Sequence, residues 1–404
     1  MTIEDPSRLL FQKLRAHRID AFVSVPCSLL DGLLRLIHEE KDVIHIPVTR
    51  EEEGLGILAG ATLAGRRPAL VAQNSGLGNS INAICSLTNY FELPTVFVIS
   101  HRGSEGERID AQLPMGAATI PLLDAVGVSS HTIGSAADLS ILDEAIPKAF
   151  EARRSVAFLF PFSYWSCGER SEPAGLSDCE ASPPETGGLA DGDSLRPGAA
   201  NSPPQPEIGA KEEKTYRRFE ALELIMGHVS DELVVVNIGH PAQEVFRIKD
   251  RPKNFYMLGS MGLASSIGLG LAMSTKDRVV AIDGDGSVLM NLGTLATIGV
   301  ARPSNLVLIV IDNESYGSTG FQKTLTASGV DLTAIARACQ IPAVFEARGE
   351  AETRAVLERV MARREPGPVC VVLKTEAGKA EGLKPIPLDA EAIKLRFKRA
   401  IHRE

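Results

Sequence analysis

Short runs of aliphatic and β-branched residues alternate with segments of helical periodicity along most of this chain. Such runs are typical of parallel strands buried on both faces, and the helical segments between them are typical crossover connections. The runs in the first half occupy residues 21–25, 43–48, 69–73, 95–100, 129–133 and 156–160. Those in the second half occupy residues 233–238, 254–258, 279–283, 306–312, 343–347 and 369–374. We therefore predict an α/β fold with two doubly wound parallel-sheet domains.

The connecting segments carry apolar residues at helical spacing. In residues 28–40 the leucines recur every three or four positions, and Ser28 is the predicted N-cap. The second half contains predicted helices over residues 216–229, 263–273 and 351–364. The same order of strand and helix is therefore expected in both halves, although no sequence repeat relates them.

The composition changes abruptly between the halves. Residues 167–214 are rich in Gly, Pro, Ser and Glu, and such a stretch buries too little apolar surface to offset the entropy of ordering it. We predict a linker at 167–214 between a first domain, residues 1–166, and a second domain, residues 215–404. A chain of 404 residues is too long for one ordinary core, which agrees with two domains.

Composition and charge exclude several classes of protein. The apolar runs are far shorter than the roughly 18 residues of a membrane span, and a net charge of −9 disfavours nucleic acid as a partner. The first residues lack the basic and apolar pattern of an export signal, so we expect a cytoplasmic protein. Any site for an anionic substrate must be locally basic. Neither disulfide nor zinc spacing relates the cysteines, which we expect to be reduced: Cys27, Cys85, Cys167, Cys179, Cys339 and Cys370.

Polar residues follow two consecutive strands of the second half. Asp285 comes just after strand 279–283, and Asn313 follows strand 306–312. Open α/β sheets bind ligands at the carboxyl ends of their strands. Mg²⁺ takes one or two oxygen ligands from side chains and the rest from phosphate oxygens and water. Asp285 and Asn313, with the carbonyl of Ser315, therefore predict a magnesium site that also holds a diphosphate.

Glycines flank Asp285 in the sequence. Gly284 and Gly286 let the backbone approach phosphate groups, and the N–H groups of Gly286 and Ser287 open the next helix, whose N-terminus favours an anion. The alternative interpretation is structural, because Gly-Asp-Gly is also a common turn after a strand.

Two further segments combine glycines with apolar helices. Residues 259–272 form a Gly-rich turn that enters a helix, and residues 50–60 place three glutamates before a helix of small residues. Taken alone, each segment is typical of a helix that packs closely on its neighbour. Together with the Gly-Asp-Gly motif and the later asparagine, they resemble the signature of thiamine-diphosphate-dependent enzymes.

This resemblance implies how the turn at 259–262 meets the cofactor. In such enzymes a backbone carbonyl, here that of Gly259, accepts a hydrogen bond from the aminopyrimidine. A bulky side chain, here Met261, lies beneath the bent coenzyme, and Ser260 stands between the two. Asn74 and Gly239 are further expected cofactor contacts.

The resemblance also implies a catalytic glutamate. Its carboxyl group bonds the pyrimidine N1′ and promotes the tautomer that activates the cofactor. In related decarboxylases it stands nine positions before a helix glycine, which gives Glu51 when that glycine is Gly60. Glu52 and Glu53 are then expected to be first-turn acids that complement the helix dipole.

The chain resembles the sulfopyruvate decarboxylase family outside the predicted linker, and it is similar to phosphonopyruvate decarboxylase. The shared segments are residues 25–30, 73–79, 101–103 and 316–320, while residues 112–116 and 255–266 look more like the sulfopyruvate branch. Members of this family lack the middle domain of larger thiamine decarboxylases, and sulfopyruvate decarboxylase also occurs as two separate chains. The resemblance implies a homodimer or higher homo-oligomer, in which each site joins the pyrimidine-binding domain of one chain to the diphosphate-binding domain of another.

The expected substrate is a small 2-keto acid with an acidic tail, and sulfopyruvate is preferred. Arg102 is the candidate partner of the sulfonate, because a guanidinium presents a fork of donors to such oxygens. The full set of candidate substrate contacts is Ser28, Asn74, Ser75, His101, Arg102, Ser318 and Lys323.

Several alternatives stay open at the level of sequence. Phosphonopyruvate decarboxylation and thiamine-dependent carboligation would use the same cofactor residues. A nucleotide-binding module would use the Gly-Asp-Gly motif alone and would leave Glu51 and Met261 without a role. A catalytically silent subunit is disfavoured because both cofactor half-sites are present.

Overall fold

The computed structural model describes residues 5–165, 216–362 and 367–402. The strands of the first half are β1 (Ala21–Ser24), β2 (Ile44–Pro47), β3 (Pro68–Gln73), β4 (Val96–Ser100), β5 (Ser129–Thr132) and β6 (Val156–Phe160). They pair in parallel in the order β2-β1-β3-β4-β6-β5. The helices of this half are α1 (Pro6–Ala16), α2 (Asp31–Glu39), α3 (Glu51–Leu63), α4 (Asn74–Ala83), α5 (Leu113–Ala125), α6 (Ile141–Glu151) and α7 (Phe162–Trp165).

The second half repeats this architecture. Its main strands are β7 (Leu233–Val236), β8 (Asn254–Tyr256), β9 (Val279–Gly284), β10 (Leu306–Asp312), β13 (Ala343–Arg348) and β14 (Val369–Lys374), and a hairpin is formed by β11 (Ser315–Tyr316) and β12 (Gln322–Lys323). The main strands pair in parallel in the order β13-β14-β10-β9-β7-β8. The helices are α8 (Arg218–His228), α9 (His240–Lys249), α10 (Ala264–Ser274), α11 (Asp285–Met290), α12 (Gly293–Ala301), α13 (Leu332–Ala338), α14 (Gly349–Ala362) and α15 (Ala390–His402).

The predicted fold class, two doubly wound parallel-sheet halves, is confirmed. Every predicted strand is present, with ends that differ by no more than two residues. The predicted linker at 167–214 lies outside the described residues, so the domain boundaries stay a prediction. Within the described ranges, none of the helices has the length and apolarity needed to cross a membrane.

The predicted helix over residues 28–40 begins differently. Ser28 is the first residue of a 3₁₀ turn, Ser28–Leu30, and α2 follows from Asp31. An N-cap residue stands just outside the helical turn, whereas Ser28 is already inside it, and no side chain caps this turn. The predicted N-cap role of Ser28 is therefore wrong.

The two halves pack together through α3 and α10. Every residue of α3 is buried, and this helix has no polar face, as expected for a helix surrounded by protein. Glycines permit the close approach: a Cβ atom on Gly56 would overlap Ser266, one on Gly60 would overlap the backbone of α10, and one on Gly270 would overlap the carbonyl of Ile57. The backbones of the two helices are therefore in direct contact.

Gly270→Ala tests this contact. We expect the new methyl group to force the helices apart and to lower the free energy of unfolding by about 1–3 kcal/mol, the usual cost of overpacking. Gly227→Ala in α8 is the matched control, because a Cβ atom there meets nothing within 4 Å and alanine favours a helix over glycine. Thermal unfolding of both variants gives the answer, and an unchanged Tm for Gly270→Ala would contradict the proposed close contact.

Candidate active site

The strand order of the second sheet reverses between β7 and β9. The chain leaves β7 for β8 on one side, and it continues through β9 and β10 on the other. A reversal of this kind opens a crevice at the carboxyl ends of the strands. A cavity of about 130 Å³ lies there. Its lining includes the predicted residues Gly239, Met261, Gly284, Asp285, Gly286, Ser287, Asn313, Ser315 and Ser318.

Asp285 is a buried carboxylate at this cavity. It follows β9 and is 2% exposed. Its Oδ2 accepts hydrogen bonds from Thr324 Oγ1 at 2.5 Å and Thr326 Oγ1 at 2.9 Å. Burial raises the pKa of Asp285 to about 6 in spite of these bonds, and the nearby Asp312 carboxylate acts in the same direction. The anionic form of Asp285 therefore lacks a compensating positive charge in the described structure.

Asn313 and Ser315 lie beside Asp285 at the end of β10. Both are buried, and the Asn313 Oδ1 accepts a long hydrogen bond of 3.3 Å from the backbone of Ser315. The Asn313 Nδ2 and the Ser315 Oγ have no hydrogen-bond partner among the described residues. These polar atoms are thus left for a ligand.

The turn before α10 is held in a strained conformation. Ser260 has φ of +57° and Gly262 has φ of +95°, which is the left-handed region. The Ser260 Oγ lies 2.6 Å from the Ser86 Oγ of the first half, and the Gly262 N–H donates to Ser287 Oγ at 3.0 Å. A Cβ atom on Gly259 would stand 2.8 Å from the carbonyl oxygen of Ser86. The turn is therefore fixed from both halves, with Met261 on the cavity wall.

Glu51 begins α3 and is 6% exposed. Its Oε2 accepts a hydrogen bond of 3.3 Å from Asn79 Nδ2, and a Cβ atom on Gly76 would overlap its carboxylate. The contacts between Gly56 and Ser266, and between the region of Gly60 and Gly270, show that α3 and α10 run in parallel and in step. The N-terminus of α3, with Glu51, therefore lies at the same end of this helix pair as the turn before α10, although Glu51 is not among the residues that line the cavity.

The neighbouring glutamates have other partners. Glu52 lies 3.6 Å from Arg50. Glu53 is 1% exposed, and its Oε2 accepts from both the N–H and the Oγ1 of Thr49, at 3.2 and 2.7 Å. Both stand in the first turn of α3, as predicted, and both are buried there, where Glu53 holds the entry to the helix.

Asn74 and Arg102 occupy the corresponding edge of the first sheet. The Asn74 amide exchanges two hydrogen bonds with the backbone of Arg102, at 2.8 and 3.0 Å, and donates a third to Thr119. Its side chain therefore fixes the loop after β4. The Arg102 guanidinium donates twice to Glu107, at 2.7 and 2.8 Å, and this ion pair holds the pKa of Glu107 well below its usual range. The charge of the predicted sulfonate partner is thus already compensated.

The remaining predicted substrate contacts differ in their hydrogen-bond partners and in whether they line the cavity. His101 Nε2 is 3.1 Å from the Gly116 carbonyl, and Ser75 Oγ accepts from Gln73. Ser318 Oγ accepts from the His240 N–H at 3.1 Å at the rim of the cavity. Ser28 and Lys323 are exposed, and neither lines the cavity.

Sequence reasoning missed Arg218, a cation on the cavity wall. Arg218 is 5% exposed, and it donates to Glu244 at 2.7 and 3.1 Å and to the Gly378 carbonyl at 3.2 Å. It begins an ordinary helix, so no local pattern marks it. Thr324 and Thr326 were also missed, because only the β11–β12 hairpin brings them back to Asp285.

Comparisons with known proteins agree with this geometry. Residues 237–373 match the family described as thiamine pyrophosphate enzyme, C-terminal TPP binding domain. The chain is 34% identical to the sulfopyruvate decarboxylase of Methanosarcina acetivorans over 99% of this chain and 99% of that protein. It belongs to the sulfopyruvate decarboxylase family. It is therefore a thiamine-diphosphate-dependent decarboxylase, a carbon–carbon lyase.

Other relatives of this family cover the chain in whole or in part. Phosphonopyruvate decarboxylase of Streptomyces viridochromogenes is 34% identical over 90% of this chain and 87% of that protein. The sulfopyruvate decarboxylase subunit beta of Methanococcus maripaludis is 47% identical over 46% of this chain and 97% of the subunit. The subunit alpha of Methanocaldococcus jannaschii is 44% identical over 39% of this chain and 95% of the subunit.

Solved structures support the fold. The thiamine diphosphate-dependent 4-hydroxybenzoylformate decarboxylase of Rhodococcus jostii RHA1 superposes with a TM-score of 0.66 and 13% identity, covering 93% of this chain and 100% of that chain.

The cavity fits the diphosphate end of the cofactor with its metal ion. The desolvated carboxylate of Asp285, the amide oxygen of Asn313 and the backbone carbonyl predicted for Ser315 are hard oxygen donors of the kind that Mg²⁺ prefers. The raised pKa of Asp285 also fits a metal site, because a divalent cation would supply the positive charge that this carboxylate lacks. Asp285, Asn313 and Ser315 are the residues that would hold the metal.

Glu51→Gln tests the assignment of the catalytic glutamate. The amide keeps the size of the side chain but cannot act as an acid, so we expect cofactor affinity to change little while kcat falls by about 10²-fold or more. Glu52→Gln is the matched control and should stay within about threefold of the wild type, a difference of roughly 0.7 kcal/mol. A large loss of kcat at Glu52 with little loss at Glu51 would show that the wrong glutamate is assigned.

Proposed function

We propose that this chain decarboxylates 3-sulfopyruvate to sulfoacetaldehyde and carbon dioxide, with Mg²⁺ as the metal partner of thiamine diphosphate. The observation that carries the proposal is the match to both separate sulfopyruvate decarboxylase subunits, at 44% and 47% identity. Phosphonopyruvate decarboxylase matches at the same 34% identity as the full-length sulfopyruvate decarboxylase, but over 90% of this chain rather than 99%. Phosphonopyruvate is the alternative substrate, because proteins named phosphonopyruvate decarboxylase also match most of the chain.

The residues of the predicted site would have different roles in binding and activating the cofactor. Asp285 and Asn313 would anchor the diphosphate through the metal, and Gly259 and Met261 would orient the aminopyrimidine. Glu51 would hold a proton at N1′. When bound, thiamine diphosphate supplies the carbon nucleophile and the electron sink for the loss of carbon dioxide. The protein would therefore contribute binding, orientation and one carboxyl group; Glu51, Asp285 and Asn313 are buried, and Gly259 and Met261 are partly exposed.

The charges near the site support a monoanionic tail. Arg102 is paired with Glu107, and Arg218 is paired with Glu244. Each guanidinium therefore offers hydrogen-bond donors but little net charge. A sulfonate is a monoanion at neutral pH, whereas a phosphonate can carry a second negative charge and would require more positive charge around it. In a protein of net charge −9, the balance favours the sulfonate.

We further propose that one chain supplies both parts of its own site. In the described structure, the helix that carries Glu51 packs on the helix that follows Met261 in the same chain. The expected arrangement, with the two parts on different chains of a homodimer, would use the same helix contact between subunits. The direct contact between the two halves of one chain supports a site that lies within one chain.

Substrate preference is tested by comparing kcat/KM for sulfopyruvate, phosphonopyruvate and pyruvate under one condition. We expect sulfopyruvate to be preferred over both by about tenfold or more, which corresponds to the loss of one charge-assisted contact in pyruvate and to an excess charge in phosphonopyruvate. A clear advantage for phosphonopyruvate would overturn the choice of substrate and would leave the decarboxylase assignment intact.

A further inference from the structure

A second cavity, of about 500 Å³, shares no lining residue with the cofactor cavity. It lies between the C-terminal end of α3, the end of α6, the loop before β4 and one side of α15, and we call it the α15 cavity. Glu92 is the acidic residue of its lining. The basic residues of its lining are Arg66, Arg67, Arg153, Lys394, Lys398, Arg399 and His402.

Part of this positive charge is compensated. The Glu92 carboxylate accepts from Lys394 at 2.7 Å and from Arg153 at 3.2 Å. Arg66 pairs with Asp20 at 3.0 Å. Glu391 is a second carboxylate partner of Arg153. Glu92, Asp20 and Glu391 are thus the acidic residues that form ion pairs with lysines and arginines of the lining in the described part of the chain.

Among the lysines and arginines of this lining, Arg67, Lys398 and Arg399 form no ion pair in the described part of the chain, although the Asp20 carboxylate that pairs with Arg66 also acts on Arg67. The Arg67 guanidinium lies 3.9 Å above the Phe150 ring, and its Nε is buried without a hydrogen-bond partner. Burial lowers the pKa of Lys398, and the charges of Lys394 and Arg153 lower it further. The α15 cavity therefore concentrates like charges, an arrangement that an anion would stabilise.

We propose that the α15 cavity binds a small anion with two or more phosphate groups. Arginine forks and lysine ammonium groups are the side chains that bind phosphate oxygens most strongly. The volume falls within the range of small-molecule sites, roughly 300–1,000 Å³. A phosphate polymer is disfavoured, because the net charge of −9 would repel the parts of the polymer outside the cavity. The Phe150 ring is covered by Arg67, so the site recognises phosphate rather than an aromatic base.

The position of the cavity gives such a ligand a defined effect. The ligand would contact α3 of the first half and α15, which packs on β8 of the second half. Helix α3 has 13 residues, so its length is roughly 20 Å. A polyanion at its C-terminal end would therefore hold the two halves together at a distance from Glu51, and it would stabilise the α3–α10 contact by mass action.

The test is titration calorimetry with inorganic pyrophosphate on the full chain, saturated with thiamine diphosphate at constant free Mg²⁺ and ionic strength. Saturation with the cofactor blocks the diphosphate cavity. We expect one pyrophosphate site per chain, and a rise in Tm on binding. The double variant Lys398→Met, Arg399→Gln should bind at least about tenfold more weakly, because each change removes a charge-assisted contact.

Two variants serve as controls. Arg8→Gln with Lys41→Met removes the same charge from exposed positions outside the cavity and should leave the affinity unchanged. Lys398→Arg keeps the charge and should restore binding to within about threefold of the wild type. The proposal is overturned if the wild type does not bind pyrophosphate, if the Lys398 and Arg399 variant binds as tightly as the control, or if a single-stranded oligonucleotide binds as tightly as pyrophosphate.

Discussion

The contact between α3 and α10 is the interaction on which the rest of the structure depends. It exists because glycines stand where two backbones meet, at Gly60 on one helix and Gly270 on the other. A side chain at either position would overlap the opposing backbone and force the helices apart. The apolar sequence of α3 follows from the same constraint, since a helix that is enclosed by protein cannot keep a polar face. The close packing of the two halves thus depends on small residues in the helix that also carries Glu51.

Electrostatics divide the molecule into regions with different requirements. At the cofactor cavity a buried acid, Asp285, lacks positive charge. Two arginines near the active site are each balanced by a carboxylate, Arg102 by Glu107 in the first half and Arg218 by Glu244 on the wall of the cofactor cavity. In the α15 cavity positive charge is in excess. We expect a cation at Asp285, a monoanion near the neutralised arginines and a polyanion in the α15 cavity, although the protein as a whole is acidic.

The sequence predicts the sheets well because buried parallel strands are continuous apolar runs, and residues 306–312 and 369–374 coincide with β10 and β14. It also predicts that Asp285 and Asn313 meet, since both follow neighbouring strands of one sheet. Partners that come from distant loops are not predictable in this way. Thr324 reaches Asp285 only through a hairpin, and the carboxylate that neutralises Arg102 lies on a loop without a regular pattern. The sequence misplaces the start of α2, because a serine before an apolar helix does not distinguish an N-cap from a 3₁₀ turn.

The two halves of one chain meet through α3 and α10, and we propose that they build one cofactor site. Mixed oligomers test it most directly: a chain with Glu51→Gln is co-expressed with a chain that carries Asp285→Ala, and the hetero-oligomer is isolated through two different tags. If each chain builds its own site, every site contains one defect, and the mixed enzyme stays as inactive as either variant alone. Recovery of about half of the wild-type activity per dimer would contradict the account, because that result requires a site that combines the intact halves of two chains.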